Sequence, residues 1–204
     1  MKKSSETESL ILQAAERVFY LRGFDGARMQ EIADAASINK ALLHYYFRSK
    51  QRLFDAVFTV ALSRLVPPVL AELRQNLPLE EKITRFVNTY FATVRKNPAL
   101  PGFIVHEMQR NPGHFGSVIR QQRIDVLYSL CVQLEEEARS GRLRSISPEQ
   151  FLLNLFSLCA FPLIAAVGMQ ALSGMNSDAY EELLEERRKL IPRWMLDMLR
   201  PQNR

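Results

Sequence analysis

The sequence predicts an all-α protein, and three observations support that fold class. Apolar residues recur at the three- and four-residue spacing of helices through most of the 204 residues. We find no convincing segment in which apolar and polar residues alternate as they do along a strand. Hydrophobic residues make up 47% of the chain, so it can bury the core of one large domain or two small ones.

The first fifty residues predict three helices and the start of a fourth. Ser5 and Glu8 have the spacing of a capping box, and the helix that follows should end at Gly23, which suits a left-handed position. The tight turn "ASIN" should separate two short helices. The expected bounds of the later elements are Met29–Ala35, an N-cap at Asn39 with a helix to about Phe47, and a cap at Ser49 with a helix from Lys50 toward Arg74.

The rest of the chain predicts five more helices. Pro67 and Pro68 should kink or interrupt the long fourth helix, and Pro192 should bend the last one. Ser147 as N-cap and Pro148 at the first helical position mark the start of a strongly apolar helix. The five expected helices are Leu79–Lys96, residues 103–110, Ser117–Arg139, Pro148 to near Gly174, and about Asp178–Leu199.

Bulk composition excludes few classes of protein but favours some. A net charge of +5 permits a nucleic acid or another anionic partner without requiring one. Cys131 and Cys159 lack a CxxC spacing and are expected to be buried free thiols in a reducing compartment. The start "MKKSSETES" becomes polar where a signal peptide needs its apolar run, so we expect a cytoplasmic protein.

The order of the first elements predicts a helix-turn-helix. A helix, a short helix, a tight turn and a second short helix are the parts of this motif, whose last helix lies in the major groove of DNA. Ala33 suits the close crossing of the two short helices. Basic side chains flank the expected reading helix and could contact phosphates or remain ordinary solvated cations; they are Arg28, Lys40, Arg48 and Lys50.

The segment "ILQAAERVFYLRGFDGARMQEIADAASINKALLHYYFRSKQRLFDAV" resembles the DNA-binding domain of the TetR family of bacterial transcriptional regulators. The likeness covers about Leu10 to Val57, with anchors such as Gly23-Phe24, Tyr45 and Phe47 in order and without gaps. It implies a helix-turn-helix, three-helix DNA-binding domain over residues 1–50. A larger helical ligand-binding and dimerisation domain is then expected over residues 51–204.

The resemblance also implies how such a protein acts. Family members usually bind a palindromic operator as a homodimer, repress transcription, and release DNA when a small molecule enters the C-terminal domain. For this chain an apolar or amphipathic effector is expected. Carried over position by position, the family's DNA contacts fall on Arg28, Gln30, Asn39, Lys40, Ala41, Leu42, His44, Tyr46 and Lys50.

Some positions depart from the family's usual residues. Ala27-Arg28 stands where a Thr or Ser commonly precedes the supporting helix, and His44 stands where Tyr is frequent. Ser37 holds a turn position that is usually Gly, at a cost of about 1 kcal/mol if its backbone is left-handed. Leu43, Tyr45 and Phe47 are predicted to be core, while the residues that alternate with them face DNA.

The second region offers the chemistry of a ligand pocket rather than a motif. Ligand sites are mostly apolar with a few polar groups, although simple core packing is the alternative explanation for each aromatic. Polar anchors could include Glu107 and Gln170 as well as a histidine and an asparagine. The candidate pocket residues are Phe86, Tyr90, Phe103, His106, Tyr128, Asn154, Phe156 and Phe161.

The last two helices predict a dimer interface. The apolar helix cannot satisfy all its sides with one contact, and pairing it and the last helix with their symmetry mates gives a four-helix seam, as in the resembled family. The candidate interface residues are Leu155, Leu158, Leu183, Leu184 and Trp194. A membrane span in the uncharged stretch from Gln150 to Ser177 is the alternative, and we expect no membrane.

Catalysis and metal binding find little support in the sequence. No GxSxG, HExxH, P-loop or GxGxxG motif is present, and Cys131 lacks an evident base partner. His44, His106 and His114 do not form a spaced metal set. We therefore expect a regulator without enzymatic activity, cofactor or metal, and with an enzyme as the rival hypothesis.

Overall fold

The computed structural model describes residues 2–121 and 127–201, with side chains for residues 6–120 and 128–201. Within those ranges the chain forms eleven α-helices and no strand, which confirms the predicted all-α class. They are α1 (Lys2–Gly26), α2 (Met29–Ala35), α3 (Lys40–Tyr46), α4 (Lys50–Leu73), α5 (Leu79–Lys96), α6 (Leu100–Arg110), α7 (Pro112–Gln121), α8 (Leu127–Arg139), α9 (Pro148–Ile164), α10 (Ala166–Ser173) and α11 (Ser177–Leu199).

The chain divides into two compact units, and the division is not a single cut. The first unit comprises Met1–Arg64 together with Gly102–Val118. The second comprises the described residues of Leu65–Pro101 and Ile119–Arg204. The predicted assignment of DNA binding to residues 1–50, and of ligand binding and dimerisation to residues 51–204, is a division of function and stays a prediction.

The first unit is built around a cluster of aromatic rings. The ring of Phe54, in α4, lies 4.9 Å from Phe19, 5.0 Å from Phe24 and 5.5 Å from Phe103, measured between ring centroids. The edge-to-face arrangement of the first two pairs is one that aromatic quadrupoles favour. Phe103 comes from α6, so residues distant in sequence complete the core under α1 and α4.

The first helix begins earlier than predicted but breaks where predicted. It starts at Lys2, so Ser5 lies inside the helix and the predicted capping box is wrong. Gly23 has φ 65° and ψ −178°, a conformation that residues with a Cβ rarely adopt. The expected special role of Gly23 is therefore confirmed, although a helical turn resumes and continues to Gly26.

The second unit packs one face of α5 against α9 and α11. The buried residues of α5 include Ile83, Phe86 and Tyr90, which recur at helical spacing as the sequence predicted. The outward face of the same helix carries charges such as Glu81 and Arg85, which form an i,i+4 ion pair at 2.6 Å.

The predicted apolar helix from Pro148 to Gly174 is in fact two helices, α9 and α10, bent by 69°. The start is as predicted, because Ser147 Oγ accepts a hydrogen bond from the Gln150 amide at 3.3 Å. The break follows Pro162, which has no amide hydrogen to donate to the carbonyl of Leu158. Instead, Arg187 Nε donates to that carbonyl at 3.1 Å.

A second hydrogen bond from α11 holds the same bend. The Tyr180 hydroxyl is buried and donates to the carbonyl oxygen of Pro162 at 2.6 Å. Gly174 then ends α10 in the left-handed conformation with φ 69°, as the sequence predicted for the end of this segment. The change of direction is thus fixed by α11 side chains that satisfy backbone oxygens near the proline.

Three other predictions concern where helices begin or break, and none of them is met in full. Pro67 and Pro68, which were predicted to kink or interrupt the helix, lie inside α4; the helix continues through both prolines, so the interruption is wrong and the kink stays a prediction. The helix predicted from Ser117 begins earlier as α7, because Asn111 Oδ1 caps it by accepting from the His114 amide at 3.2 Å. The middle of that predicted helix, residues 122–126, lies outside the described residues.

Two stretches of the described chain are apolar enough to cross a membrane by length and composition alone. They are α4 and the bent pair of α9 and α10. More than half of the apolar window of α4 is buried within the protein, as in the core helices of water-soluble proteins, which meet the same criterion.

Candidate nucleic-acid interface

The turn between α2 and α3 has the hydrogen bonds of a Schellman motif. The Ser37 amide donates to the carbonyl of Asp34, and the Ile38 amide donates to the carbonyl of Ala33, both at 3.0 Å. Ser37 itself has φ 56°, the left-handed conformation that Gly adopts without strain. The predicted cost of a Ser at this position therefore has its structural basis, and the turn fixes the direction in which α3 leaves α2.

Replacing Ser37 by glycine should stabilise the protein by about 1 kcal/mol, because it removes the strain of a left-handed residue with a Cβ. Denaturant unfolding of the full chain measures the change. Ala36 is the matched control, since its φ of −88° is right-handed. Ala36→Gly should be destabilising because it only adds unfolded-state entropy, and equal effects of the two substitutions would contradict the explanation.

One face of α3 is anchored in the first unit. Leu43 is fully buried and Phe47, one turn later, is also buried. Asn39 begins the helix as predicted, because its Oδ1 accepts a hydrogen bond from the Leu42 amide at 2.8 Å. The anchoring residues and the cap together hold the short helix in one orientation, although seven residues are too few for it to be stable alone.

The opposite face of α3 is open to solvent. Lys40, Ala41, Leu42 and His44 are all exposed, and Tyr46 is half-buried. A helix with one apolar face buried and lysine, histidine and small side chains on the other can enter the major groove. This is where the sequence placed the reading residues.

Tyr45 corrects the prediction that it belongs to the core. Its side chain is 77% exposed, and its ring lies edge-on to Tyr46 with 5.5 Å between centroids. The prediction that Leu43, Tyr45 and Phe47 share the core follows their alternation in sequence, which is the period of a strand. On a helix Tyr45 lies about 200° round from Leu43, beside Ala41, so the helical period would have placed it at the centre of the exposed face.

The first residue of α4 is tied to the end of α1. Lys50 Nζ donates to the backbone carbonyl of Asp25 at 3.2 Å and lies 4.6 Å from the ring centroid of Phe24. An ammonium group has three donors, so hydrogens remain for an outside acceptor. Ser49 caps α4 as predicted, since its Oγ accepts from the Arg52 amide at 3.2 Å.

The start of α2 carries Arg28 and Gln30, the predicted DNA-contact residues that lie outside α3 and α4. Arg28 is exposed, occupies the N-cap position with an extended backbone, and makes no side-chain cap. Gln30 is also exposed, but its Nε2 donates to Asp34 Oδ1 at 2.8 Å. Both residues border a cleft of about 610 Å³ that also includes Arg22. Side chains from α2, α3 and the start of α4 are thus available around one exposed helix.

Residues 11–57, which include this whole motif, match the family model described as "Bacterial regulatory proteins, tetR family". The chain therefore carries the DNA-binding segment of the tetR family. It is a transcriptional regulator that binds DNA, and it is not an enzyme.

Individual relatives of this tetR-family regulator are distant. The uncharacterized HTH-type transcriptional regulator YhgD of Bacillus subtilis (strain 168) is 24% identical over 72% of this chain and 76% of its own length. The HTH-type transcriptional activator FasR of Mycolicibacterium smegmatis (strain ATCC 700084 / mc(2)155) is 35% identical over 42% of this chain and 39% of its own length. A TetR family transcription regulator from Marinobacter aquaeolei VT8 shares the fold, with a TM-score of 0.69 over 98% of both chains at 16% identity.

The structure brings together only part of the predicted ligand pocket of the regulator. In the second unit, Phe86 lies 5.1 Å from Phe156 and 6.4 Å from Tyr90, measured between ring centroids. Phe103 belongs instead to the aromatic core of the first unit. Of the remaining candidates, Asn154 is half-buried, and His106, Tyr128 and Phe161 are exposed.

Glu107, considered as a polar anchor for a ligand, has partners of its own. It is fully buried and accepts hydrogen bonds from Arg110 Nε at 2.6 Å and from Arg110 Nη2 at 3.0 Å. His114 Nδ1 lies 3.4 Å from the same carboxylate. Within the described residues this network belongs to the first unit, so the carboxylate serves the fold of the DNA-binding region.

The predicted interface residues fall into two groups. Leu155 and Leu184 are buried within the second unit, where a partner subunit would not reach them. Leu158, Leu183 and Trp194 are half-buried, and Arg187 lies over the Trp194 ring at 5.1 Å. More exposed apolar side chains lie on α9 and α10; they include Leu153, Phe161, Ile164, Val167 and Leu172.

Proposed function

We propose that this tetR-family regulator is a cytoplasmic homodimeric repressor that binds a palindromic operator through α3. The observation that carries the proposal is the two-sided character of α3, which is anchored by Leu43 and exposes its opposite face around Ala41 and Tyr45. Phosphate contacts are assigned to Lys40, Lys50 and Arg28, because they flank that face. Base contacts are assigned to Leu42, His44 and the neighbouring tyrosines, with Leu42 suited to a thymine methyl group.

The homodimer is proposed on the exposed apolar surface of α9 and α10. Val167 and Leu172 are each more than four-fifths exposed, and Phe161 and Leu153 are largely exposed as well. Apolar patches of this kind mark interaction sites more often than ordinary surface. A second copy of the chain is the occupant that a palindromic operator requires, since protein symmetry and operator symmetry correspond.

Repression with release by an apolar or amphipathic small molecule is the mode of action that we propose. FasR, which is similar to 42% of this chain, is named an activator, so the direction of regulation needs its own measurement. Transcription from the regulated promoter, measured in vitro with increasing protein, should fall. A rise would replace repression by activation without affecting the proposal for DNA binding.

Specific DNA binding should require an inverted repeat whose half-site centres are about 34–36 Å apart or a multiple of that distance. Footprinting on genomic fragments, followed by binding to the isolated repeat, measures this, and two chains should bind per repeat. Moving one half-site by about 5 base pairs is the control, because it rotates that half-site to the far side of the duplex. Equal affinity for the shifted repeat or for a single half-site would refute the proposed symmetric complex.

A further inference from the structure

Lys82 is a buried cation that has no anionic partner among the described residues. Its side chain is only 5% exposed, and it lies near the start of α5, where the helix dipole disfavours positive charge. Burying an ammonium group is costly unless an opposite charge compensates it. Among the side chains that the structure describes, none forms an ion pair with Lys82; its partner is the neutral amide of Gln133, whose Oε1 lies 2.5 Å from Nζ.

Gln133 is itself held in place. Its Nε2 donates to the backbone carbonyl of Leu77 at 3.1 Å, so its Oε1 is directed at Lys82. One amide oxygen uses one of the three donors of an ammonium group. Burial lowers the pKa of Lys82 from its usual range, as expected for a charge that lacks compensation.

This pair borders a cleft in the second unit. The cleft has a volume of about 370 Å³, within the range of small-molecule sites. Tyr128 and Val132, one turn apart on α8, border it with exposed apolar surface, and Arg74 adds an exposed cation. Of the two acidic groups at its edge, Glu137 is already paired with Arg142 at 2.5 Å, whereas Glu136 is exposed to water.

We infer that this cleft binds a small amphipathic carboxylic acid, with its carboxylate at Lys82 and Gln133 and its apolar part along Tyr128 and Val132. The carboxylate supplies the charge that the buried ammonium lacks and accepts its remaining hydrogens. Small inorganic anions would leave the apolar face of α8 exposed to water, so the cleft should favour an acid with an apolar part over them. This assigns a place and a chemical class to the effector, and that regulatory role rests on the proposed function.

Direct binding to the DNA-free protein tests the site. Sodium octanoate, decanoate and 4-phenylbutanoate are titrated calorimetrically, each beside its neutral primary amide. At least one acid should bind with Kd below about 1 mM and about tenfold or more tighter than its amide, since charge-assisted hydrogen bonds are the stronger ones. Lys82→Met should weaken the binding of that acid by about tenfold or more. Failure of all three acids, or equal binding by Lys82→Met, overturns the site.

Matched controls separate this cleft from general positive charge. Lys189 is exposed and borders a different, arginine-rich cleft of the same unit, so Lys189→Met should leave acid binding unchanged. Lys82→Met should stay folded, because methionine removes the cost of a buried charge at similar length. The affinity of the wild type should also fall as pH rises through the lowered pKa of Lys82, while that of Lys82→Met stays flat.

Operator binding measured with and without the acid tests the regulatory role separately. The acid should weaken operator binding by the wild type but not by Lys82→Met. If the acid binds at Lys82 and the operator affinity stays the same, the site stands and the effector role is refuted. If no inverted repeat is bound under any condition, the proposed function fails, whatever the acid does in the DNA-free protein.

Discussion

Replacing Arg110 with methionine should destabilise the first unit by about 3–5 kcal/mol, because it leaves the fully buried carboxylate of Glu107 without its cation. The guanidinium group also lies 4.3 Å from the ring centroid of Phe24 and 5.0 Å from that of Phe54, so packing and cation–π contacts are lost as well. Denaturant unfolding of the full chain measures the loss, and operator binding at 37 °C should decline with the folded fraction.

The double variant Glu107→Leu with Arg110→Met is the informative control. Removing both partners eliminates the buried charge, so most of the lost stability should return. His114, 3.4 Å from Glu107 in the wild type, lies 3.6 Å from Asp55 and keeps that neighbour in both variants. A double variant no more stable than Arg110→Met alone would show that packing, rather than the unpaired carboxylate, accounts for the effect.

Replacing Ala41 with glutamate should weaken operator binding by about 100-fold or more without unfolding the protein. Ala41 is exposed on the side of α3 opposite Leu43, so a carboxylate there would face the phosphates of the groove. Like charges brought together at an interface cost several kcal/mol, and a dimer places one at each half-site. Glutamate in the first turn of a helix is favourable for the helix itself, so folding should be unaffected.

The same charge placed elsewhere in the first unit is the control. Ser63 is exposed on α4, about 20 Å along the helix from Lys50 by its rise per residue. Ser63→Glu should therefore reduce operator affinity only slightly. Fluorescence anisotropy with a labelled inverted repeat compares the three proteins at one salt concentration. Equal losses for both substitutions would indicate a general electrostatic effect rather than contact through α3.

Local signals predicted the helix-turn-helix well because its elements are defined by neighbouring residues. Asn39 and Ser49 cap the helices that they were predicted to cap, and α2 has its expected bounds. The failures within the motif are also local in origin. A period of two predicts a core position for Tyr45, whereas the helical period of about 3.6 residues predicts the exposed position that it has.

Features that depend on distant parts of the chain could not be predicted in the same way. The break after Pro162 depends on Arg187 and Tyr180, which bond to backbone oxygens of α9 from another helix. Lys82 resembles an ordinary solvated lysine until its burial beside Gln133 is known. Neither pairing leaves a pattern in the sequence, because each joins residues about twenty to fifty positions apart through packing alone.

The first unit is built from two separate stretches of the chain, and this limits how its DNA specificity can be transferred to another protein. Phe54 and Phe58 pack against Phe103 from α6, with Phe58 also 5.2 Å from the His114 ring. A hybrid that takes only the N-terminal segment would expose these rings or seat them against foreign side chains. A working graft therefore has to carry residues 102–118 with the reading helix, so an exchange of operator preference involves two separate inserts rather than one.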